Sequence, residues 1–155
     1  MNNSDYQSLK QRYNKRIRLL SYFIFIVVAM VVANAAITIL RIPYDIAAIR
    51  IIIPDIMFNY GFNALKNSEM TYAIVLLLGF VIVLAALIIF AVYAHKNRRW
   101  AFAWMTLFVF AEMPLLIIVQ NWQAILVHIA LIIICAIGVH MCGASMQLDR
   151  KMWTF

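Results

Sequence analysis

Four stretches of this chain run for about twenty residues with scarcely a polar side chain: Leu19 to Leu40, Thr71 to Ala94, Ala101 to Gln120 and Trp122 to Cys142. About 20 apolar residues in a helix cross the hydrocarbon core of a bilayer, so the pattern predicts four transmembrane helices over 19–40, 71–94, 101–120 and 122–142. Ahead of the first, Ser4 and Gln7 have the form of a capping box. Tyr6, Leu9, Tyr13 and Ile17 then recur at helical spacing, which predicts an amphipathic helix over 1–18 running into span one, its basic face on lipid headgroups or serving as a partner's docking surface. The longest connection, 41–70, contains RIPYDIAAIRIIIPDIMFNYGFNALKNSE. In it Pro54-Asp55 reads as a helix start, and Asp55, Asn59, Asn63 and Lys66 share one stripe apart from Ile56, Met57, Phe58, Phe62 and Leu65. That predicts a second interfacial helix, either a lid over the bundle or a surface anchor. A fifth span over Ile46 to Leu65 is excluded, since Arg50 and Asp55 would each cost roughly 2.5 to 3.5 kcal/mol at mid-bilayer and Pro54 interrupts the helix.

Composition agrees with this reading. Of 155 residues 66% are hydrophobic and 12% charged, more apolar surface than a soluble domain of this size hides. The net charge of +7 would suggest nucleic acid or an anionic substrate were it not so unevenly placed. Lys10, Arg12, Lys15, Arg16 and Arg18 precede span one, Lys96, Arg98 and Arg99 lie between spans two and three, and Arg150 and Lys151 follow span four. With four spans all of these fall on one side, while Arg41, Arg50 and Lys66 on the other are balanced by Asp45, Asp55 and Glu69. The positive-inside rule then puts both termini, the HKNRRW loop and a tail over 143–155 in the cytoplasm. Lys10, Arg12, Lys15, Arg16, Arg98 and Arg99 are the expected contacts to anionic headgroups. Ala33-Asn34-Ala35 resembles a signal cleavage site, but the apolar run continues to Leu40, so span one is read as uncleaved.

The residues that carry chemistry are few. Glu112 in span three and His128 in span four flank a very short connection around Asn121. At about 1.5 Å per residue their depths differ by only about 3 Å, so they meet if their faces agree; Asn34 in span one falls in the same outer half. Ionisable groups inside a bilayer are costly and find partners. The three are therefore the candidate intramembrane polar site: either a protonatable site serving transport or a hydrogen-bonded clasp between spans three and four. Pro114, lacking an N–H, leaves the carbonyl of Phe110 without its usual partner. Cys135 and Cys142, about 10 Å apart along one helix, cannot bridge each other and read as small packing residues. His95 and His140 could in principle ligate haem, yet both lie where histidine sits at headgroup level, so no cofactor and no metal is expected. Trp100, Trp104, Trp122, Trp153, Tyr72 and Tyr93 near span ends read as interfacial anchors. Ala29 with Ala33, and Gly138 with Cys142, have small-xxx-small spacing suited to close helix packing. No phosphate-binding loop, zinc-type spacing or nucleophile elbow occurs.

FVFAEMPLLII and LVHIALIIICAIGV together resemble a pattern in small uncharacterised four-span bacterial membrane proteins. These have an acidic residue, usually Asp followed by Thr, midway in the third span, and a His ten residues ahead of a Gly in the fourth. Glu112, His128 and Gly138 stand in those places, with Glu-Met-Pro departing from Asp-Thr, and the resemblance covers only about the last third of the chain. It implies a bacterial inner-membrane location and brings no activity. The expected fold is thus an all-α integral membrane four-helix bundle with both termini cytoplasmic and two interfacial helices. Three function classes follow. The chain is a non-enzymatic subunit or partner-binding component in contact with lipid and with its own copies or another membrane protein, or a transporter or channel component built on Glu112 and His128, or a membrane enzyme acting on a lipid-like substrate. Nucleic acid is not an expected partner.

Overall fold

The computed structural model describes residues 3–40 and 51–153, and these form five helices: α1 (Asn3–Leu40), α2 (Ile52–Lys66), α3 (Met70–His95), α4 (Arg99–Ile118) and α5 (Trp122–Trp153). Four of them, all but α2, are long and apolar enough to cross a membrane. The first ten residues of the 41–70 connection, with Arg41, Asp45 and Arg50, lie outside the described residues, as do the side chains of Lys151 and Trp153.

The amphipathic segment 1–18 runs into span one as expected. With neither Gly nor Pro from Ser4 to Leu40 to break it, α1 continues through residue 18 as a single 38-residue rod, about 57 Å long. The tail after Cys142 is likewise helical, because α5 keeps its turn for 32 residues. Both rods therefore overhang α3 and α4 at the end that carries the termini. There they are tied together: Tyr6 Oη donates to Asp149 Oδ1 at 2.7 Å, and Lys10 Nζ reaches the same oxygen at 2.7 Å. The ammonium of Lys10 is held above its ordinary value chiefly by its bond to Asp149, and the Asp149 carboxyl below its own chiefly by Lys10, then by Tyr6.

Three tight turns join α2 to α3, α3 to α4 and α4 to α5, and they are built alike. Each places a non-glycine residue in the left-handed region, Ser68 (φ 62°), Asn97 (φ 60°) and Gln120 (φ 56°). In each, its N–H and the next one return to carbonyls of the last helical turn: Ser68 to Leu65 and Glu69 to Ala64, Asn97 to Ala94 and Arg98 to Tyr93, Gln120 to Ile117 and Asn121 to Leu116. These are Schellman closures. Asn121 then caps α5, its Oδ1 accepting the N–H of Ala124 at 3.1 Å. Asn97 also donates from Nδ2 to Asn14 Oδ1 of α1 at 2.8 Å, while its buried Oδ1 has no partner.

The α4–α5 pair forms a long seam. Besides Ala101, Ala124 and Ile125 at its ends, buried positions in α4 fall at Phe102, Met105, Val109, Glu112 and Leu116, and in α5 at His128, Leu131, Cys135, Gly138, Cys142 and Ser145. Alternating steps of three and four residues are the heptad rhythm of antiparallel helices packed knobs into holes. Gly138 has a steric reason to lack a side chain, because a Cβ there would stand 2.4 to 2.8 Å from the ring of Phe102. Ala29 and Ala33, by contrast, face outward.

Helix α2 departs most from expectation. It starts at Ile52 rather than at Pro54 and packs lengthwise, antiparallel to α3, rather than across the end of the bundle. Gly61 abuts Leu76 and Leu77, Gly79 abuts Met57, and the rings of Phe58 and Phe80 lie 4.9 Å apart. From Phe58 back to Ile52 is about 9 Å of helix, which sets the first turn of α2 about level with the middle of α3. From its polar stripe Asn59 meets α1, where Thr38 donates to its Oδ1 at 2.9 Å.

Candidate functional site: a carboxylate at the start of a half-length helix

A helix leaves its first N–H groups without intrahelical partners, and these are usually served by a Ser, Thr, Asn or Asp at the cap. The residue in that place on α2 is Ile51, which offers no side-chain acceptor. Pro54, third in the helix, has no N–H, which leaves the amides of Ile52 and Ile53. Both donate to Glu112 of α4: Ile52 N to Oε2 at 3.2 Å and Ile53 N to Oε1 at 3.0 Å. A carboxylate at a helix N-terminus also meets the positive end of the helix dipole. Glu112 can do this because it occupies a seam position of α4, pointed inward with Val109 and Leu116.

His128 completes the cluster. Its Nε2 lies 2.9 Å from Glu112 Oε2 and its Nδ1 2.9 Å from the carbonyl oxygen of Ala124. A carbonyl only accepts, so Nδ1 carries a hydrogen. One further proton then lies between Nε2 and Oε2, on the carboxyl or on the imidazole, and the pair has zero net charge in either case. Glu112 is 0% exposed and His128 1%. Both oxygens of Glu112 and both ring nitrogens of His128 have partners inside the protein.

The structure thus brings Glu112 and His128 together and adds two backbone donors to them. Asn34 stands apart, lining a narrow cavity between α1, α2 and α3 with Val31, Ile51, Asp55, Phe58 and Phe80. That cavity has no space for a water molecule. His95 is engaged elsewhere: its Nδ1 is 3.0 Å from Ser21 Oγ, which itself donates to the carbonyl of Arg18 at 2.7 Å, and Tyr22 and Phe25 pack on its ring. His140 faces outward. Among the described residues no three His, Cys, Asp or Glu side chains converge as metal ligands. Of the expected headgroup contacts Arg12, Lys15, Arg16, Arg98 and Arg99 are exposed, while Lys10 is half-buried against Asp149 and Tyr6.

The amides of Ile52 and Ile53 are the partners that sequence reasoning missed. The sequence offers only the lack of a capping side chain at Ile51 ahead of Pro54, which marks amides in need of an acceptor without saying which residue supplies it. Compared with family models, with curated proteins and with solved structures, the chain matches none of them.

Proposed function

We propose that this chain is a small multi-pass inner-membrane protein with both termini cytoplasmic, and that it serves as a non-enzymatic, partner-binding component of a membrane assembly. One observation carries the reading: its central ionisable pair is closed. Each oxygen of Glu112 and each ring nitrogen of His128 has a partner in α2, in Ala124 or in the other side chain. A site that loads and releases an ion or proton needs access from at least one side, whereas a clasp needs none. With α1, α3, α4 and α5 spanning the bilayer, α2 is a re-entrant helix that starts near the midplane, where unpaired amides are costly and irregular backbone survives only when buried in protein. Glu112 meets that requirement. The Ser21–His95 contact gives no support to an enzyme, because the Ser21 hydroxyl is fully buried and donates to a backbone carbonyl.

Purification in mild detergent followed by native mass spectrometry tests the reading. A stable complex with a second membrane protein or with its own copies is expected, and Glu112→Gln should leave that complex formed wherever the fold survives. A monomer throughout would remove the proposal. Orientation is tested by cysteines at the exposed positions Lys96 and Gln147, which should be labelled from the cytoplasmic side, and at Asn67, which should be labelled from the other.

A transport reading built on Glu112 and His128 has one observation in its favour: half-length helices with N-termini at mid-depth frame the ion and substrate sites of many secondary transporters. Here a carboxylate of the chain itself fills that place. Proton flux in proteoliposomes that Glu112→Gln abolishes without unfolding the protein would favour this second reading over the first.

A further inference from the structure

A large open cleft lies far from Glu112, at the end that carries the termini. Its volume is about 880 Å³ and one wall is formed by α1 from Tyr6 to Tyr22. Lys10, Lys15, Arg16 and Arg18 line it, and α1 has no acidic residue over this length. Lys10 is committed to Asp149; Lys15, Arg16 and Arg18 are exposed, and Lys15 and Arg18 lie one turn apart along the cleft. The next residues along it are Leu19 and Tyr22, at the start of the first apolar span. The cleft therefore passes from cationic and amide-bearing, with Asn14 half-buried in its wall, to apolar and aromatic within a turn or two of helix.

We propose that this cleft is a binding site for the phosphate headgroup of an anionic phospholipid. Guanidinium and ammonium groups hold phosphate oxygens by charge-assisted hydrogen bonds. A polyanion or an acidic peptide would match the cations but not the Leu19–Tyr22 end, whereas a phospholipid presents an anion and a hydrocarbon chain in that order across a membrane surface. The attraction that the negative cytoplasmic leaflet exerts on any basic segment is delocalised and does not saturate. A cleft predicts one lipid per chain, and it separates Lys15 and Arg18 from Arg12 and Arg98, which are equally charged and exposed but do not line it along α1.

The test is native mass spectrometry of the full chain in neutral detergent, titrated with short-chain phosphatidylglycerol and, in parallel, with phosphatidylcholine. One saturable phosphatidylglycerol adduct per chain is expected, with phosphatidylcholine at least tenfold weaker. Lys15→Gln with Arg18→Gln should weaken the adduct tenfold or more, and Arg12→Gln with Arg98→Gln less than threefold. Equal losses from the two pairs, or adducts that accumulate without saturation, would overturn the site in favour of diffuse attraction. Glycerol 3-phosphate is added as a competitor: no displacement at a hundredfold excess is expected, and displacement would overturn the lipid assignment in favour of a soluble phosphate ligand. Thermal melting of each variant accompanies the titration; should the first double variant melt early, the two single substitutions carry the test, each with an expected loss of threefold or more.

Discussion

An acid–base contact at the centre of this protein and another at its end each join distant helices, and their surroundings give them different worth. Glu112 and His128 are closed off from solvent, while the Lys10 and Asp149 side chains are 36% and 38% exposed. The exposed pair exchanges water for a partner at little gain, as surface ion pairs commonly do, at about 0 to 1 kcal/mol. The buried pair has nothing to exchange: each group left without its partner stays unpaired in a low-dielectric interior. The difference between them is thus less the strength of a bond than the penalty for its absence.

The sharpest way to break that contrast is Glu112→Leu, which strands the Ile52 and Ile53 amides and His128 at once. A loss of roughly 2 to 4 kcal/mol is expected, read from reversible unfolding in mixed micelles. His128→Leu should cost less, because Glu112 keeps its two amides. The double variant should show a favourable coupling of at least about 0.5 kcal/mol, near the usual worth of an intramembrane hydrogen bond, and should still fall well short of wild type, since α2 remains uncapped. A double variant as stable as wild type would mean that the α2 amides find another acceptor.

Gly138→Ala comes next. Its new methyl group meets the Phe102 ring, and overpacking of this kind costs about 1 to 3 kcal/mol. Phe102→Leu in the same chain should recover part of the loss, and no recovery would place the strain elsewhere in the α4–α5 seam. Gln120→Gly should have the opposite sign, raising stability by up to about 1 kcal/mol, because glycine takes positive φ without the steric cost that Gln120 bears. A lower melting temperature would show that the Gln120 side chain gives more than its backbone conformation costs.

The smallest effect belongs to Lys10–Asp149, and its sign follows from the shifts. Asp149 has a lowered value in the folded protein, so its contribution is present above the ordinary carboxylate range and is lost as pH falls through that lowered value. Lys10 has a raised value, so its contribution is present below the ordinary lysine range and is lost as pH rises through the raised one. Between those limits Asp149→Asn should cost no more than about 0.5 kcal/mol at low salt. A larger cost would mean that the overhanging ends of α1 and α5 depend on this contact.

The four long helices and the nearness of Glu112 to His128 were legible because they follow from local rules: apolar run length, and equal distances from a short turn. The rhythm Phe102, Met105, Val109, Glu112, Leu116 was open to view as well, since it places a carboxylate at a seam position. The pairing of Ile52 and Ile53 with Glu112 was not legible, because it spans 60 and 59 residues and joins backbone groups, which carry no side-chain signature. The course of α2 was hidden for a related reason. Its polar stripe fits an interfacial helix as well as one packed on α3, and what decides between them is the close approach at Gly61 and Gly79 together with the tilted contact of the Phe58 and Phe80 rings. The unbroken run of α1 through residue 18 was legible too, from helical spacing and the lack of any breaking residue; the composition shift there marks a change of surroundings rather than of conformation.

The capping of α2 by Glu112 also sets an order of assembly. During synthesis the two amides emerge about sixty residues ahead of the carboxylate that receives them, so α2 has no acceptor for its first turn until α4 has entered the membrane. Until then its N-terminus keeps its hydrogen bonds only in contact with water or headgroups. A nascent chain arrested before Glu112 should therefore expose the Ile52–Lys66 region to added protease, whereas one arrested after His128 should protect it.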